Sequence, residues 1–448
     1  MSLFEGIFSK LFENKYISPR NIFSDFKTKD SITGLLDKVI NCKGEASALA
    51  YSETLMIKIE NLNDKKLLDF FLILSKDYDF NNQELLQSVN NYANNNSTQN
   101  YKSMTSKFNS KRMEIFKNLN SIEKGTIRLV NIRERLLNLI KENIELKKVD
   151  IDLSNLFKNW FNRGFLVTHP ITWDTSAKIL EKIIKYEAVH EISSWLDLRN
   201  RLKPEDRRCY SFFHPTMEDE PLIFVEVALT SEVPSKIDDI LDLNRAKTNP
   251  KKFKTAVFYS ISNCQKGLKG ISFGNFLLKQ VVMDLKKEFP SLETFVTLSP
   301  VPGFNKWLKQ NNPNLHDKII NKDSILSFEK EILNSSIEYF FEAKHKDGLP
   351  LDPVQRFHLS NGASLDKIHF MGNPSNKGIA NSLGLMVNYK YQMENLEKNV
   401  RLYVDLFVKE YKKVGYIAIY WPLRNEVDIR SLKEKFSLAL PRCNDKKE

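Results

Sequence analysis

The 448-residue sequence predicts an α+β protein in which an all-helical N-terminal domain precedes a mixed α/β domain. Two observations predict this order. In the first third of the chain, apolar residues recur at three- and four-residue intervals, which is typical of amphipathic helices. After Asn162, apolar runs of strand length alternate with helical patterns around a glycine-containing turn. We place the two domains at residues 1–162 and 163–398, followed by a C-terminal tail, 399–448, of unknown role.

Composition and charge exclude several classes of protein. The 15 glycines and 16 prolines are too few for a collagen-like or low-complexity chain. No apolar run reaches the roughly 18–20 residues of a membrane span, so we expect no membrane insertion. The net charge is +11, but lysines are spread along the whole chain, and a nucleic-acid binder would cluster them. We therefore expect no nucleic-acid partner, and the excess charge would instead favour an anionic ligand.

Cysteine usage and the N-terminal residues bear on the compartment. The four cysteines lie far apart, without the paired spacing of a zinc or redox motif, so we expect no metal site and a reducing compartment. The first twenty residues contain Glu5 and Glu13 and lack the continuous apolar centre of a secretory signal. The default expectation is a cytoplasmic protein.

Two helical segments, 67–74 and 122–146, are predicted in the N-terminal domain. The second has an apolar stripe made of Ile127, Val130, Leu136, Leu137 and Ile140. Between these segments, residues 81–110 are rich in asparagine and serine, and we predict a long loop or a frayed helix there. The preferred interpretation of this domain is a helical bundle for assembly or support.

The second domain contains a strand, glycine turn, helix, strand unit. Before it, an amphipathic helix places Ile179, Ile183 and Tyr186 on one face. The predicted elements are, in order, a helix at 175–190, strands at 220–229 and 255–262, the turn at 264–270, a helix at 271–289 and a strand at 294–298. This alternation is typical of a mixed sheet covered by helices.

The glycine turn is the first feature with a chemical mechanism. Glycines after a strand let backbone N–H groups approach a ligand, and the following helix N-terminus favours negative charge. The spacing matches neither a Walker loop nor the dinucleotide fingerprint, so a structural turn and a phosphate cradle fit equally well. The turn resembles the coenzyme A pyrophosphate loop of the GCN5-related N-acetyltransferases. Gln265 fits that pattern, whereas Gly267 and Gly270 are one residue further apart than is usual.

Five longer motifs, which appear in family order, resemble the malonyl-CoA decarboxylase family. They are RRCYSFFHP at 207–215 with the strand that follows, FYSIS at 258–262 with the glycine turn, TLSPVPGF at 297–304, FHLSNGA at 357–363 and GLMVNYKY at 384–391. The resemblance runs from about Arg163 to Tyr391, and the helical first third agrees in kind. Ser272 stands where some family members carry a carboxylate, and Glu226 could supply an acid instead.

This resemblance implies an acetyltransferase-like catalytic domain and self-association through the helical domain. The implied reaction converts malonyl-CoA to acetyl-CoA and CO₂ without a metal, biotin or pyridoxal phosphate. Loss of CO₂ leaves a carbanion beside the thioester, which is stabilised as an enolate. Such a site must place hydrogen-bond donors on the thioester oxygen and deliver a proton to the carbon.

Two residues match the family's catalytic positions. His358 is the predicted proton donor, because the unperturbed pKa of histidine lies near the working pH. Ser299 is predicted to hydrogen-bond the thioester oxygen or to relay the proton of His358, although without the family it would suggest only a proline-rich turn.

The predicted substrate-binding residues fall into two groups. The pyrophosphate is expected at the turn, on Lys269, Gly270, Ile271, Ser272, Phe273, Gly274 and Asn275. Ser260 lies on the strand expected to pair with the pantetheine arm, and Asn361 and Tyr391 are expected near the acyl group. Each of these last three could equally be a structural polar residue.

Two other functions stay open at this point. One is a CoA-dependent acyltransferase that uses the same cradle. The other is a non-catalytic CoA-binding assembly protein, which would need neither His358 nor Ser299.

Overall fold

The computed structural model describes residues 30–271, 276–319 and 322–408, and these divide into two compact units. The first unit comprises the chain up to Phe165, together with His214–Glu218 and Gln265–Ser272. The second comprises Leu166–Phe213, Asp219–Cys264 and the residues from Phe273 onward. The change of unit after Phe165 lies close to the predicted domain boundary. The glycine turn, however, belongs to the first unit.

From residue 30 onward, where the structure describes it, the first unit contains eight α-helices around an apolar core. The helices are α1 Ile32–Asn41, α2 Glu45–Glu60, α3 Asp64–Lys76, α4 Asn82–Asn94, α5 Thr98–Lys107, α6 Lys111–Asn120, α7 Gly125–Leu139 and α8 Lys147–Trp160. Leu55, Phe71, Phe116 and Phe157 are buried at its centre. Serine and asparagine side chains cap several helix starts, as Ser31 does for α1 and Asn63 for α3.

The prediction of a loop or frayed helix at 81–110 is wrong, because α4 and α5 form there. Their polar residues occupy the positions where they favour a helix: Asn81 caps α4 and Ser97 caps α5, each accepting a backbone N–H. The rings of Tyr92 and Tyr101 lie 5.7 Å apart and join the two helices. Composition alone indicated a loop, whereas the position of each polar residue decided the structure.

The buried face of α7 differs from the predicted stripe. Val130 and Leu136 are buried as expected, but Ile127, Leu137 and Ile140 are only half-buried. A charged residue, Arg133, lies on the buried face and is 3% exposed. Apolar periodicity could not identify this face, because a paired arginine fills part of it.

The described part of the second unit contains an eight-stranded sheet, in the order β1-β2-β3-β4-β5-β8-β6, with β7 also paired to β8. The strands are β1 Val167–Pro170, β2 Arg207–Phe213, β3 Ile223–Thr230, β4 Thr255–Asn263, β5 Thr294–Thr297, β6 Ser299–Pro300, β7 Ser364–His369 and β8 Met386–Lys390. Only β4 and β5 are parallel among these pairs.

Eleven helices accompany the sheet in the described residues. They are α9 Ala177–Tyr186, α10 Trp195–Leu202, α11 Asp238–Leu241, α12 Phe276–Glu288, α13 Phe304–Asn311, α14 Pro313–His316, α15 Lys322–Ser327, α16 Glu329–Phe341, α17 Pro353–Ser360, α18 Asn376–Ser382 and α19 Leu396–Val408. On α9, Ile183 is buried and Ile179 and Tyr186 pack beside it, as predicted. The predicted fold class, helical first and mixed α/β second, is confirmed.

The strand, turn, helix, strand unit also forms as predicted, from β4 through α12 to β5. The parallel pairing of β4 and β5 runs from Thr255 and Thr294 to Phe258 and Thr297. Beyond that point β4 continues to Asn263, while Ser299 pairs with Val387 of β8. The two parallel strands therefore part just before Ser299.

The segment predicted as a tail begins inside a helix. Residues 399–408 form most of α19, and Asn399 Nδ2 donates a hydrogen bond to the carbonyl oxygen of Gly362 at 2.9 Å. The rest of the tail, 409–448, lies outside the described residues. Across residues 30–271, 276–319 and 322–408, no helix combines the length and apolar character that a bilayer crossing needs.

A pair of substitutions on α2 tests the core of the first unit. Leu55 is fully buried, so Leu55→Ala should lower the free energy of unfolding by about 2–5 kcal/mol. Ile57 is 47% exposed on the same helix, and Ile57→Ala should change it by no more than about 0.5 kcal/mol. Chemical denaturation measures both values, and equal losses would contradict this placement of the core.

Candidate active site

Three predicted residues meet in a buried cluster within the second unit. His358 comes from α17, Ser299 from the short strand β6, and Tyr391 directly follows β8. His358 Nε2 lies 3.3 Å from Ser299 Oγ, and His358 Nδ1 lies 2.7 Å from the Tyr391 hydroxyl. His358 and Tyr391 are 3% exposed and Ser299 is 6% exposed. The histidine therefore connects a serine and a tyrosine away from bulk water.

The hydrogen bonds around Ser299 assign the protons of this cluster. The Ser299 hydroxyl donates to Thr297 Oγ1 at 2.9 Å, so its oxygen is left to accept from His358. A neutral imidazole carries one proton, which must then be on Nε2. Nδ1 is the acceptor, and the Tyr391 hydroxyl donates to it. The protons thus point in one direction, from Tyr391 through His358 and Ser299 to Thr297.

Burial keeps the imidazole of His358 neutral. Loss of hydration lowers the pKa of His358 to about 3, because burial disfavours the positively charged imidazolium. Burial likewise raises the pKa of the Tyr391 hydroxyl, which keeps its proton. The sequence argument for His358 assumed an ordinary histidine pKa. Burial of the imidazole in the structure without substrate makes that assumption wrong.

Two neighbours fix the orientation of His358. The ring of Tyr389 stacks on the imidazole, with centroids 4.5 Å apart and an interplanar angle of 23°. Asp352 caps the N-terminus of α17 by accepting the Gln355 N–H at 2.7 Å, and Tyr339 donates to its second oxygen at 3.3 Å. Burial raises the pKa of Asp352 to about 7.

Thr297 and Asn388 join the cluster to the centre of the sheet. Thr297 Oγ1 also accepts the backbone N–H of Tyr389 at 3.0 Å, and Asn388 Nδ2 donates to the Thr297 carbonyl oxygen at 2.5 Å. Asn388 Oδ1 in turn forms a hydrogen bond with Nε2 of His369. Sequence reasoning missed Thr297, Tyr389 and Asp352. Two of them lie within the quoted motifs TLSPVPGF and GLMVNYKY, which was the available signal.

Ser260 is held elsewhere in the second unit. Glu226 of β3 pairs with Ser260 and Val227 pairs with Phe258, so Tyr259 is an extra residue in β4. The Ser260 hydroxyl donates to the buried carboxylate of Glu187 at 2.7 Å. Its role beside the pantetheine arm stays a prediction, and its side chain already has a structural partner.

Asn361 also has a structural partner. Asn361 Nδ2 donates to the Phe357 carbonyl oxygen at 2.6 Å and so satisfies the C-terminal end of α17. Asn361 is 8% exposed. The structure does not show its side chain bonded to His358 or Ser299, and its role near the acyl group stays a prediction.

Glu226, the alternative acid, is fully buried in a separate ion pair. Arg201 Nη1 donates to Glu226 Oε2 at 3.2 Å and to the His190 carbonyl oxygen at 2.9 Å. Burial, reinforced by the nearby Glu187, raises the pKa of Glu226 to about 8. These contacts hold the Glu226 side chain in the protein interior. Its role as a catalytic acid stays a prediction.

The glycine turn is described only in part. Lys269 and Gly270 are exposed, and Ile271 is buried. Gly270 has a φ of +79°, a left-handed conformation that glycine adopts without strain, and a Cβ there would meet nothing within 4 Å. Ser272, Phe273, Gly274 and Asn275 lie outside the described residues. Pyrophosphate binding at this turn stays a prediction.

The match to known domains covers most of the described chain. Residues 164–408 match the malonyl-CoA decarboxylase C-terminal domain, and residues 78–161 match the malonyl-CoA decarboxylase N-terminal domain. The chain belongs to the malonyl-CoA decarboxylase family. The family prediction is therefore confirmed over both domains.

Known relatives and solved structures agree with this assignment. The chain is 36% identical over 332 residues to the mitochondrial malonyl-CoA decarboxylase of Anser anser anser, covering 65% of this chain and 66% of that protein. It is also similar to crystal structures of malonyl-CoA decarboxylases from Rhodopseudomonas palustris and Agrobacterium vitis. The identities are 43% and 41%, each with a TM-score of 0.78 and 84% of this chain covered, and 95% and 96% of the other chains are covered.

The proton positions in the cluster can be measured directly. With ¹⁵N-labelled histidine, we expect His358 to show a protonated Nε2 and an unprotonated Nδ1 throughout pH 5 to 8, because its pKa is lowered to about 3. The spectrum of His358→Gln identifies the signals by their loss. A midpoint inside this range, or a proton on Nδ1, would contradict the assignment.

Proposed function

We propose that this protein decarboxylates malonyl-CoA to acetyl-CoA and CO₂. The observation that carries the proposal is the buried Ser299–His358–Tyr391 chain, in which every hydrogen bond can hand a proton toward Ser299. Family membership supports it, since the matched relatives bear that name. The chain spans 66% of the length of the first of these curated relatives.

Burial of the cluster favours the loss of CO₂. A carboxylate is strongly hydrated, whereas the enolate that forms spreads its charge over carbon and the thioester oxygen. A buried site therefore stabilises the dispersed charge relative to the localised one.

The proton for the methylene carbon reaches it through Ser299. With substrate bound, the Ser299 hydroxyl turns its proton from Thr297 Oγ1 to the carbanion. The Ser299 O–H bond then breaks as the new C–H bond forms, and Ser299 Oγ takes the proton from His358 Nε2. His358 Nδ1 takes the Tyr391 proton in turn. When the product leaves, a solvent proton enters at Ser299 and the transfers reverse, so that the tyrosine hydroxyl and the proton on His358 Nε2 are both restored. A thioester enolate is basic enough to take a proton from these neutral donors, so His358 need not begin as a cation. Of the two roles open to Ser299, the relay fits the 3.3 Å contact with Nε2 best.

The proposal includes no metal, biotin or pyridoxal phosphate, since the relay uses side chains of this chain alone. Self-association through the helical domain and a cytoplasmic location remain part of the proposal. The thiols of Cys209 and Cys264 are free in the interior, which is consistent with a reducing compartment. The curated relative from Anser anser anser is described as mitochondrial.

A single assay separates this activity from the alternatives. Purified protein incubated with malonyl-CoA alone should form acetyl-CoA and CO₂ in equal amounts. An acyltransferase would consume the thioester only after an amine or carrier acceptor is added. A CoA-binding assembly protein would bind the thioester and leave it intact, and either result would contradict the proposal.

Substitutions in the cluster should act on the chemical step. We expect His358→Ala and Ser299→Ala each to lower kcat by about a hundredfold or more, with much smaller changes in affinity for CoA. Because both act in one proton relay, the double variant should lose less than the product of the two single losses. Steady-state kinetics on malonyl-CoA measures these values.

His345 provides the matched control, since it lies near the surface and pairs with Asp347 at 3.0 Å. His345→Ala should retain the wild-type kcat. A folded His358→Ala protein with a near wild-type rate would contradict the relay.

A further inference from the structure

One buried arginine of the helical bundle anchors the glycine turn. Arg133 lies on α7 and is 3% exposed. Its Nη1 donates to the carbonyl oxygen of Gly267 at 2.6 Å and to that of Lys269 at 3.0 Å. The turn is 134 residues away in sequence, so these bonds are long-range contacts inside the first unit.

Arg133 is itself held in a fixed orientation by α8. Its Nε donates to Asp150 Oδ1 at 2.7 Å, and its Nη2 donates to Ser154 Oγ at 2.8 Å. The guanidinium lies 5.8 Å from the ring centroid of Phe157. Since each side of the planar guanidinium has a partner, the two bonds to the turn have little freedom to move.

The turn has one face pressed against α7 and one open face. A Cβ on Gly267 would lie 1.9 Å from the Val130 carbonyl oxygen, so only glycine allows this approach. On Gly270, by contrast, a Cβ would meet nothing within 4 Å. The carbonyl oxygens of Gly267 and Lys269 point toward Arg133. Two partial negative charges are therefore held away from the places where an anion could approach.

We propose that Arg133 is a positioning residue for the pyrophosphate of coenzyme A. By binding the Gly267 and Lys269 carbonyl oxygens, it keeps the turn in a conformation that an anion can approach without facing them. The helical domain then contributes to substrate affinity as well as to assembly. This inference rests on the proposed function, in which the turn binds the CoA moiety.

The test compares two buried arginines and two substrates. Arg133→Lys keeps a positive charge for Asp150 but loses the two hydrogen bonds that Nη1 donates to the turn. The matched control is Arg112→Lys, since Arg112 on α6 is 2% exposed and pairs with Asp152 at 2.6 Å and Asp79 at 3.1 Å. Each variant is assayed with malonyl-CoA and with malonyl-pantetheine, which has the same acyl thioester but no pyrophosphate.

We expect Arg133→Lys to raise the KM for malonyl-CoA about tenfold with little change in kcat, because the turn is no longer held in the conformation that the pyrophosphate approaches. Its kcat/KM for malonyl-pantetheine should stay within about twofold of wild type, since that substrate has no group for the turn. Arg112→Lys should leave the ratio of the two kcat/KM values unchanged. General structural damage would lower both values together.

An unchanged ratio of the two kcat/KM values in Arg133→Lys would overturn the proposal, whether both values stay at the wild-type level or both fall equally. If Arg133→Lys does not fold, Gly267→Ala should give the same selective loss, because its methyl group would push the turn away from Val130. A wild-type protein that turns over neither substrate would contradict the proposed function instead. Calorimetry with CoA then tests Arg133 alone, where about tenfold weaker binding supports its role and equal binding refutes it.

Discussion

The hydrogen bond between His358 and Ser299 is the interaction on which the proposed chemistry depends. Its direction follows from the neighbouring bond, because Ser299 donates to Thr297 and leaves the serine oxygen to accept the proton on Nε2. Tyr391 completes the arrangement at Nδ1. Because burial disfavours the charged imidazolium, the site works with neutral groups, and the enolate supplies the driving force for proton transfer.

The sheet brings these groups together by a change of strand partner. β5 pairs with β4 only as far as Thr297, and Ser299 then pairs with β8, the strand that also holds Asn388 and Tyr389 and leads into Tyr391. The capped helix α17 delivers His358 to the same place. The parallel pairing of β4 and β5 thus ends where side chains from β6, from the end of β8 and from α17 come together.

Much of this organisation could be predicted from the sequence. The order of helical and mixed domains follows from periodicity, and the motifs identified His358, Ser299 and Tyr391, which the structure brings into contact. Other features depend on tertiary structure. The extra residue Tyr259 decides which face of β4 carries Ser260, and the ion pair of Arg133 decides the buried face of α7. The lowered pKa of His358 is a consequence of burial, which no local pattern reveals.

The pH dependence of kcat/KM for malonyl-CoA tests the neutral relay most directly. Since the pKa of His358 is lowered to about 3, its imidazole stays neutral from pH 5 to 8. Its titration should therefore cause no rise or fall of kcat/KM within this range. Limbs from other groups should appear equally in His358→Gln, which serves as the reference. The account predicts profiles of the same shape. A limb of unit slope near pH 6 to 7 in the wild type, absent from His358→Gln, would contradict it.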